Sequence, residues 1–173
     1  MGNDGRPWHG GRVLVCDDNL LMADVVAEFL RECGLKPMGP VGHLESAMQM
    51  ARERALDGAI LDINMAGRPC FPICAILSAR RIPFVFLTGY PEAGIPVEYR
   101  GTGLITKPFE PTEMKEVLAH MLGLPEGLQL PEQRPSSRLH RRSQRAAVAA
   151  RSAERDRIPA EDTKHRRSVA RPA

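Results

Sequence analysis

Asp62 closes the apolar run Ala59-Ile60-Leu61, and four other reactive side chains occupy equivalent places. Asp17 and Asp18 follow Val13-Leu14-Val15-Cys16, Thr88 follows Phe86-Leu87, and Lys107 follows Leu104-Ile105-Thr106. If each run is a short buried strand, three carboxylates, a hydroxyl and an ammonium arrive at one end of a sheet. Carboxylates gathered in one place repel each other and raise each other's pKa unless a cation lies among them. Oxygen ligands with room for water and phosphate oxygens suit Mg2+, with Mn2+ as a substitute. Such an ion, the Lys107 ammonium and the Thr88 hydroxyl would face the equatorial oxygens of a phosphoryl group in transfer, a reaction that needs mainly positioning and charge neutralisation. Asp62 would then be the nucleophile and form an acyl phosphate. Gly89, directly after Thr88, has no side chain to obstruct a phosphate or an attacking water.

The elements that must position these residues alternate along the chain. Arg12 to Cys16 reads as a first strand, and Leu20 to Cys33 as a helix with apolar residues at 21, 22, 25, 26, 29, 30 and 33, stopped by Gly34. Leu35 to Val41 is a weaker strand, since Pro37 and Pro40 cannot donate to a ladder and belong on an edge. Leu44 to about Arg54 reads as a second helix, Ala59 to Asp62 as a third strand, Phe71 to Arg80 as a third helix and Pro83 to Leu87 as a fourth strand. Between Thr88 and Lys107, Pro91, Gly94, Pro96, Gly101 and Gly103 leave room for only a short or mobile helix. Leu104 to Thr106 makes a fifth strand, and Pro111 to Leu122 a last helix with Met114, Val117, Leu118, Met121 and Leu122 inward. This alternation predicts an α/β fold, a doubly wound five-stranded parallel sheet of flavodoxin-like order 2-1-3-4-5. Its first and third strands lie side by side, and ligands bind at the carboxyl ends of the strands.

At 173 residues with 43% apolar content, the chain can build one ordinary core. Charge is divided: residues 1–130 carry 12 Lys and Arg against 16 Asp and Glu, net −4, and residues 131–173 carry 12 against 5, net +7. Residues 1–11 read as a flexible N-terminus, and 124–173 as a basic, Arg-rich, largely disordered tail with a transient helix around Gln144 to Arg155. Cys16, Cys33, Cys70 and Cys74 lack zinc-site pairing and read as reduced, buried thiols. No run approaches 18 apolar residues and no signal-peptide core is present, so the expectation is a cytoplasmic protein with no membrane partner.

Four segments in order, Val13-Leu14-Val15-Cys16-Asp17-Asp18-Asn19, Ala59 to Gly67 around Asp62, Phe86-Leu87-Thr88-Gly89-Tyr90 and Thr106-Lys107-Pro108-Phe109, resemble the receiver domain of two-component response regulators. The resemblance spans roughly Arg12 to Leu122 and implies a receiver domain over 12–123. It makes Asp62 the phosphorylation site, Asp17, Asp18 and Asp62 metal carboxylates, and Asn64 a metal ligand through its backbone carbonyl. It further implies that Thr88 is the phosphate-sensing hydroxyl and Lys107 the phosphate-pairing ammonium, with a cis bond to Pro108. The implied partner is a histidine kinase or histidine phosphotransfer protein, and the chain would be a phospho-acceptor rather than an enzyme. Phe86-Leu87-Thr88-Gly89-Tyr90 and the eroded fourth helix look like a mostly alphaproteobacterial subgroup of single-domain receivers with a Phe-Ala-Thr-Gly-Tyr-type signature. Two positions depart from the common pattern. Leu104 stands where many receivers carry an aromatic switch residue, and Ala66 replaces a common proline, a minor change to its loop.

Two other readings compete. The basic tail could make the chain a DNA-associated regulator, although it contains no DNA-reading module, so weak electrostatic contact with nucleic acid is the expectation and sequence-specific recognition is not. An aspartate-nucleophile phosphatase of the haloacid-dehalogenase kind also uses a strand-end Asp, a Thr or Ser and a Lys. It would want Asp-x-Asp on the first strand and an acidic pair near the end of the domain after Lys107, and the domain has neither. Asp17, Asp18 and Asn19 also suit simple capping of the helix that begins at Leu20. Tyr90 and Tyr99 fit either a core or a partner surface. With no output domain following, the message would leave through the segment Tyr90 to Tyr99, the Leu104 to Thr106 strand and the last helix.

Overall fold

The structure, a computed structural model, describes residues 9–89 and 94–124. In chain order the elements are β1 (Arg12–Cys16), α1 (Leu20–Glu32), β2 (Lys36–Val41), α2 (Leu44–Glu53) and β3 (Gly58–Leu61). They continue with the two-residue strands β4 (Asn64–Met65) and β5 (Arg68–Pro69), then α3 (Phe71–Ala79), β6 (Phe84–Thr88), a 3-10 turn (Val97–Tyr99), β7 (Leu104–Thr106) and α4 (Pro111–Met121).

The main sheet has the order β2-β1-β3-β6-β7, with every neighbour pair parallel. This is the expected 2-1-3-4-5 order once the small antiparallel β4–β5 hairpin is set aside. Within each central strand, successive residues point to opposite faces. Val13, Val15, Ile60, Val85 and Leu87 join one core with α1 and α4, while Leu14, Cys16, Ala59, Leu61 and Phe86 join a second core with α2 and α3. Both faces are covered, which explains why the strands read as continuous apolar runs rather than alternating ones. Each large side chain fully buried this way contributes about 1.5–3 kcal/mol.

Local chemistry sets the ends of α1. The Asn19 side chain accepts a hydrogen bond from Met22 N at 3.1 Å, an N-cap. At the other end, Leu35 N donates to Leu30 O and Gly34 N to Arg31 O, with Gly34 at φ 79°, a left-handed stop that glycine takes without strain. The predicted inward stripe of α1 holds except at Leu21, which is 42% exposed. Leu20 and Leu21 both lie in the first turn and are exposed, so the apolar period extends past the buried face.

Pro37 and Pro40 do lie in an edge strand, β2, and the Gly39-Pro40 bond is cis. Among the described residues between β6 and β7, the 3-10 turn is the only helical piece. That segment is anchored by Ile95, which is buried, and by Tyr99. The Tyr99 ring stacks on Phe71 at 6.0 Å and meets Phe84 edge-on at 5.9 Å, and Phe84 meets Phe86 at 5.7 Å. Tyr99 is therefore a packing aromatic. Tyr90, residues 125–173 of the tail expected over 124–173, with its helix, and residues 1–8 of the expected N-terminus lie outside the described residues. No helix among the described residues is long and apolar enough to cross a membrane.

Candidate functional site

Four polar side chains of the described residues are buried: Asp17, Asp62, Thr88 and Lys107. Burying such groups is unfavourable unless they find partners, and backbone register brings all four to one end of the sheet. Cys16 pairs with Leu61, and Asp62 N then donates to Cys16 O at 2.8 Å, which sets the acceptor beside β1. Asp17 N donates to Val41 O at 3.1 Å. Thr88 pairs with Thr106, and Lys107 N donates to Thr88 O at 2.8 Å. The Lys107-Pro108 bond is cis, as the resemblance implied.

The Lys107 ammonium lies 2.6 Å from Asp62 Oδ2 and 2.7 Å from Asp17 Oδ2. Its contact with Asp62 is a hydrogen bond, and its contact with Asp17 is a buried ion pair. The other oxygens are held by backbone. Asn19 N donates to Asp17 Oδ1 at 2.9 Å, Asn64 N to Asp62 Oδ1 at 3.2 Å and Ala66 N to Asp18 Oδ2 at 3.0 Å.

Burial pushes the Asp17 carboxyl up to about 6 against the pull of Lys107, with Asp62 adding to the rise. Asp62 is also raised, again chiefly by burial. Burial works to lower Lys107, but the two carboxylates outweigh it and hold the ammonium above its usual pKa. One carboxylate oxygen from each of Asp17, Asp18 and Asp62 lies within 4.8 Å of the others. Three converging carboxylates, two of them buried, fit a divalent cation. Asn64 sits beside them in β4, facing Pro69 in a pair between the ladder's hydrogen bonds. All five side chains expected at the site, and Asn64, therefore come to one end of the sheet.

Sequence reasoning missed the β4–β5 hairpin. Its turn, Ala66-Gly67, gives Gly67 N to Asn64 Oδ1 at 2.7 Å, and Arg68 forms an ion pair with Glu45 at the start of α2. The available signal was a small residue and a glycine between two short segments. The substitution at Ala66 is not the minor change expected, because φ there is 55° and its N–H is in use, and proline can supply neither. The four cysteines are free and buried. Burial raises the Cys16 thiol and pushes Cys33 up to about 11, while its contact with Cys74 and then burial raise Cys70. Such thiols stay protonated and are not nucleophiles.

A profile described as the response regulator receiver domain matches residues 13–119. The transcriptional regulatory protein PdtaR of Mycobacterium tuberculosis is 29% identical over 107 residues, covering 60% of this chain and 52% of the relative. The chain thus spans about half the length of that relative. Among solved structures, SdrG from Sphingomonas melonis is 30% identical, with a TM-score of 0.60 over 66% of this chain and 98% of that one. The receiver domain of a sensor histidine kinase from Pseudomonas aeruginosa, solved with magnesium in its active-site cleft, has a TM-score of 0.57 at 22% identity, covering 66% and 98%. At that identity the likeness speaks for the fold alone.

Proposed function

The chain belongs to the family of response regulator receiver domains, and on that premise we propose that Asp62 accepts a phosphoryl group from a histidine kinase or histidine phosphotransfer protein. The observation that carries this reading is the buried Lys107 ammonium bridging Asp17 and Asp62, beside the converging carboxylate of Asp18. In the transfer, an Asp62 oxygen forms a bond to phosphorus while the P–N bond to the donor's imidazole breaks and the electron pair leaves with the imidazole. Lys107, already against Asp62 Oδ2, would follow the charge onto the phosphoryl oxygens, and the Thr88 hydroxyl would donate to one of them.

Asp17, Asp18, Asp62 and the Asn64 carbonyl would hold Mg2+, with Mn2+ as a substitute, and the bound ion would neutralise the charge gathered on carboxylates and phosphoryl group. The chain is consumed and restored in this cycle rather than turning over a substrate, so it acts as a phospho-acceptor in the cytoplasm and signals by changed affinity for another protein. The eroded helix after β6, among the described residues, supports the receiver subgroup with the Phe-Ala-Thr-Gly-Tyr-type signature. Incubating the full chain with acetyl phosphate and MgCl2 should add one phosphate to wild type and none to Asp62→Asn. Labelling that persists in Asp62→Asn overturns the assignment.

A further inference from the structure

The β4–β5 turn holds two residues, since Met65 pairs with Arg68, and both have left-handed backbone: φ is 55° at Ala66 and 85° at Gly67. This is the two-residue hairpin geometry that favours Asn-Gly or Gly-Gly, and an alanine bears strain there. Strain of this kind persists only where the surroundings over-determine it. Here they do. Asn64 N is held by Asp62 Oδ1, Gly67 N by Asn64 Oδ1, and Cys70 N by Ile63 O at 2.9 Å, while Arg68 is paired with Glu45. What the strained geometry delivers is the Ala66 N–H, 3.0 Å from Asp18 Oδ2.

Asp18 is the least buried carboxylate of the three. Asp17 and Asp62 are buried and share Lys107, whereas Asp18 is half-buried. We propose that Ala66 is a positioning residue for a divalent cation. Its N–H fixes Asp18 Oδ2 within the cluster of three carboxylates, and the hairpin presents that N–H. The inference rests on reading the site as a cation-dependent phospho-acceptor and adds to it a backbone group outside the ligand set. Hydrogen bonds that orient metal carboxylates typically govern affinity by 10–100-fold.

The test is calorimetric titration of the full chain with MgCl2. Ala66→Pro, which loses the N–H and cannot adopt positive φ, should bind Mg2+ about tenfold more weakly or worse. Ala66→Gly, which keeps the N–H and relieves the strain, should bind as wild type or tighter. Melting both variants in EDTA separates affinity from stability. Should Ala66→Pro fail to fold, the wild-type Ala66 amide resonance decides the matter. It should shift in step with the Mg2+ isotherm, and the response should be lost in Asp18→Asn. Wild-type affinity in folded Ala66→Pro, or an Ala66 amide blind to bound Mg2+, overturns the proposal while leaving the phospho-acceptor reading intact. A wild-type chain that takes up no Mg2+ removes the cation reading and this inference with it.

Discussion

Lys107 offsets the charge of two buried carboxylates, so its removal above their pKa leaves that charge uncompensated. Lys107→Met should destabilise the metal-free protein by about 3 kcal/mol at pH 7.5, the scale for breaking a buried pair, and by clearly less at pH 5. Equal losses at both pH values in denaturant melts would contradict this account. Asp17 supplies a pH dependence of its own. Its folded-state pKa is raised to about 6, so the native state holds this proton more tightly than the unfolded chain. Stability from that proton is present at low pH and is lost as pH rises from the unfolded value through about 6. In EDTA, wild type should therefore lose stability over this window, and Asp17→Asn should flatten the loss. Asp62, Asp17 and Lys107 were legible in the sequence because each ends an apolar run whose direction is fixed by burial. Ala66 was not, because its contribution is a backbone N–H that any residue but proline possesses, and only its φ of 55° shows why the proline is missing.

Among the elements, the parallel strands and their helices were read to within about a residue or two at most ends, since a strand buried on both faces and an amphipathic helix leave different periods. Two-residue strands leave no period, so the β4–β5 hairpin went unseen. Contacts between helices were equally hidden. Arg80, just after α3, donates through Nη1 to Ala51 O and Arg54 O at the end of α2, satisfying carbonyls that have no partner within that helix. Arg80→Ala should lower stability by about 1 kcal/mol with Mg2+ affinity unchanged; a change in affinity would mean that α2 communicates with the site. The row Phe71, Tyr99, Phe84 and Phe86 fastens the segment before β7 to α3 and β6. Tyr99→Leu should cost about 1–2 kcal/mol and dim the near-UV circular dichroism, whereas an unchanged near-UV spectrum would show that the row is not held in one arrangement.

At the scale of the whole molecule, the split of charge, −4 over residues 1–130 and +7 over 131–173, makes salt the informative variable. Retention of the full chain on a polyanionic matrix should fall steeply with salt, and replacing Arg138, Arg141, Arg142 and Arg145 by Gln should reduce that slope. Retention that instead tracks phosphorylation and one DNA sequence would move the tail from general electrostatics to recognition. The two edges of the sheet carry a different lesson. Every open sheet edge is a template on which a foreign strand could grow. On one side that edge is β2, where two of six residues are prolines with no N–H to offer, next to an exposed Lys36; on the other it is β7, only three residues long. The prolines that weaken β2 as a strand therefore also guard it. Among the described residues, the sheet therefore offers little backbone on which another copy of this chain could add a strand.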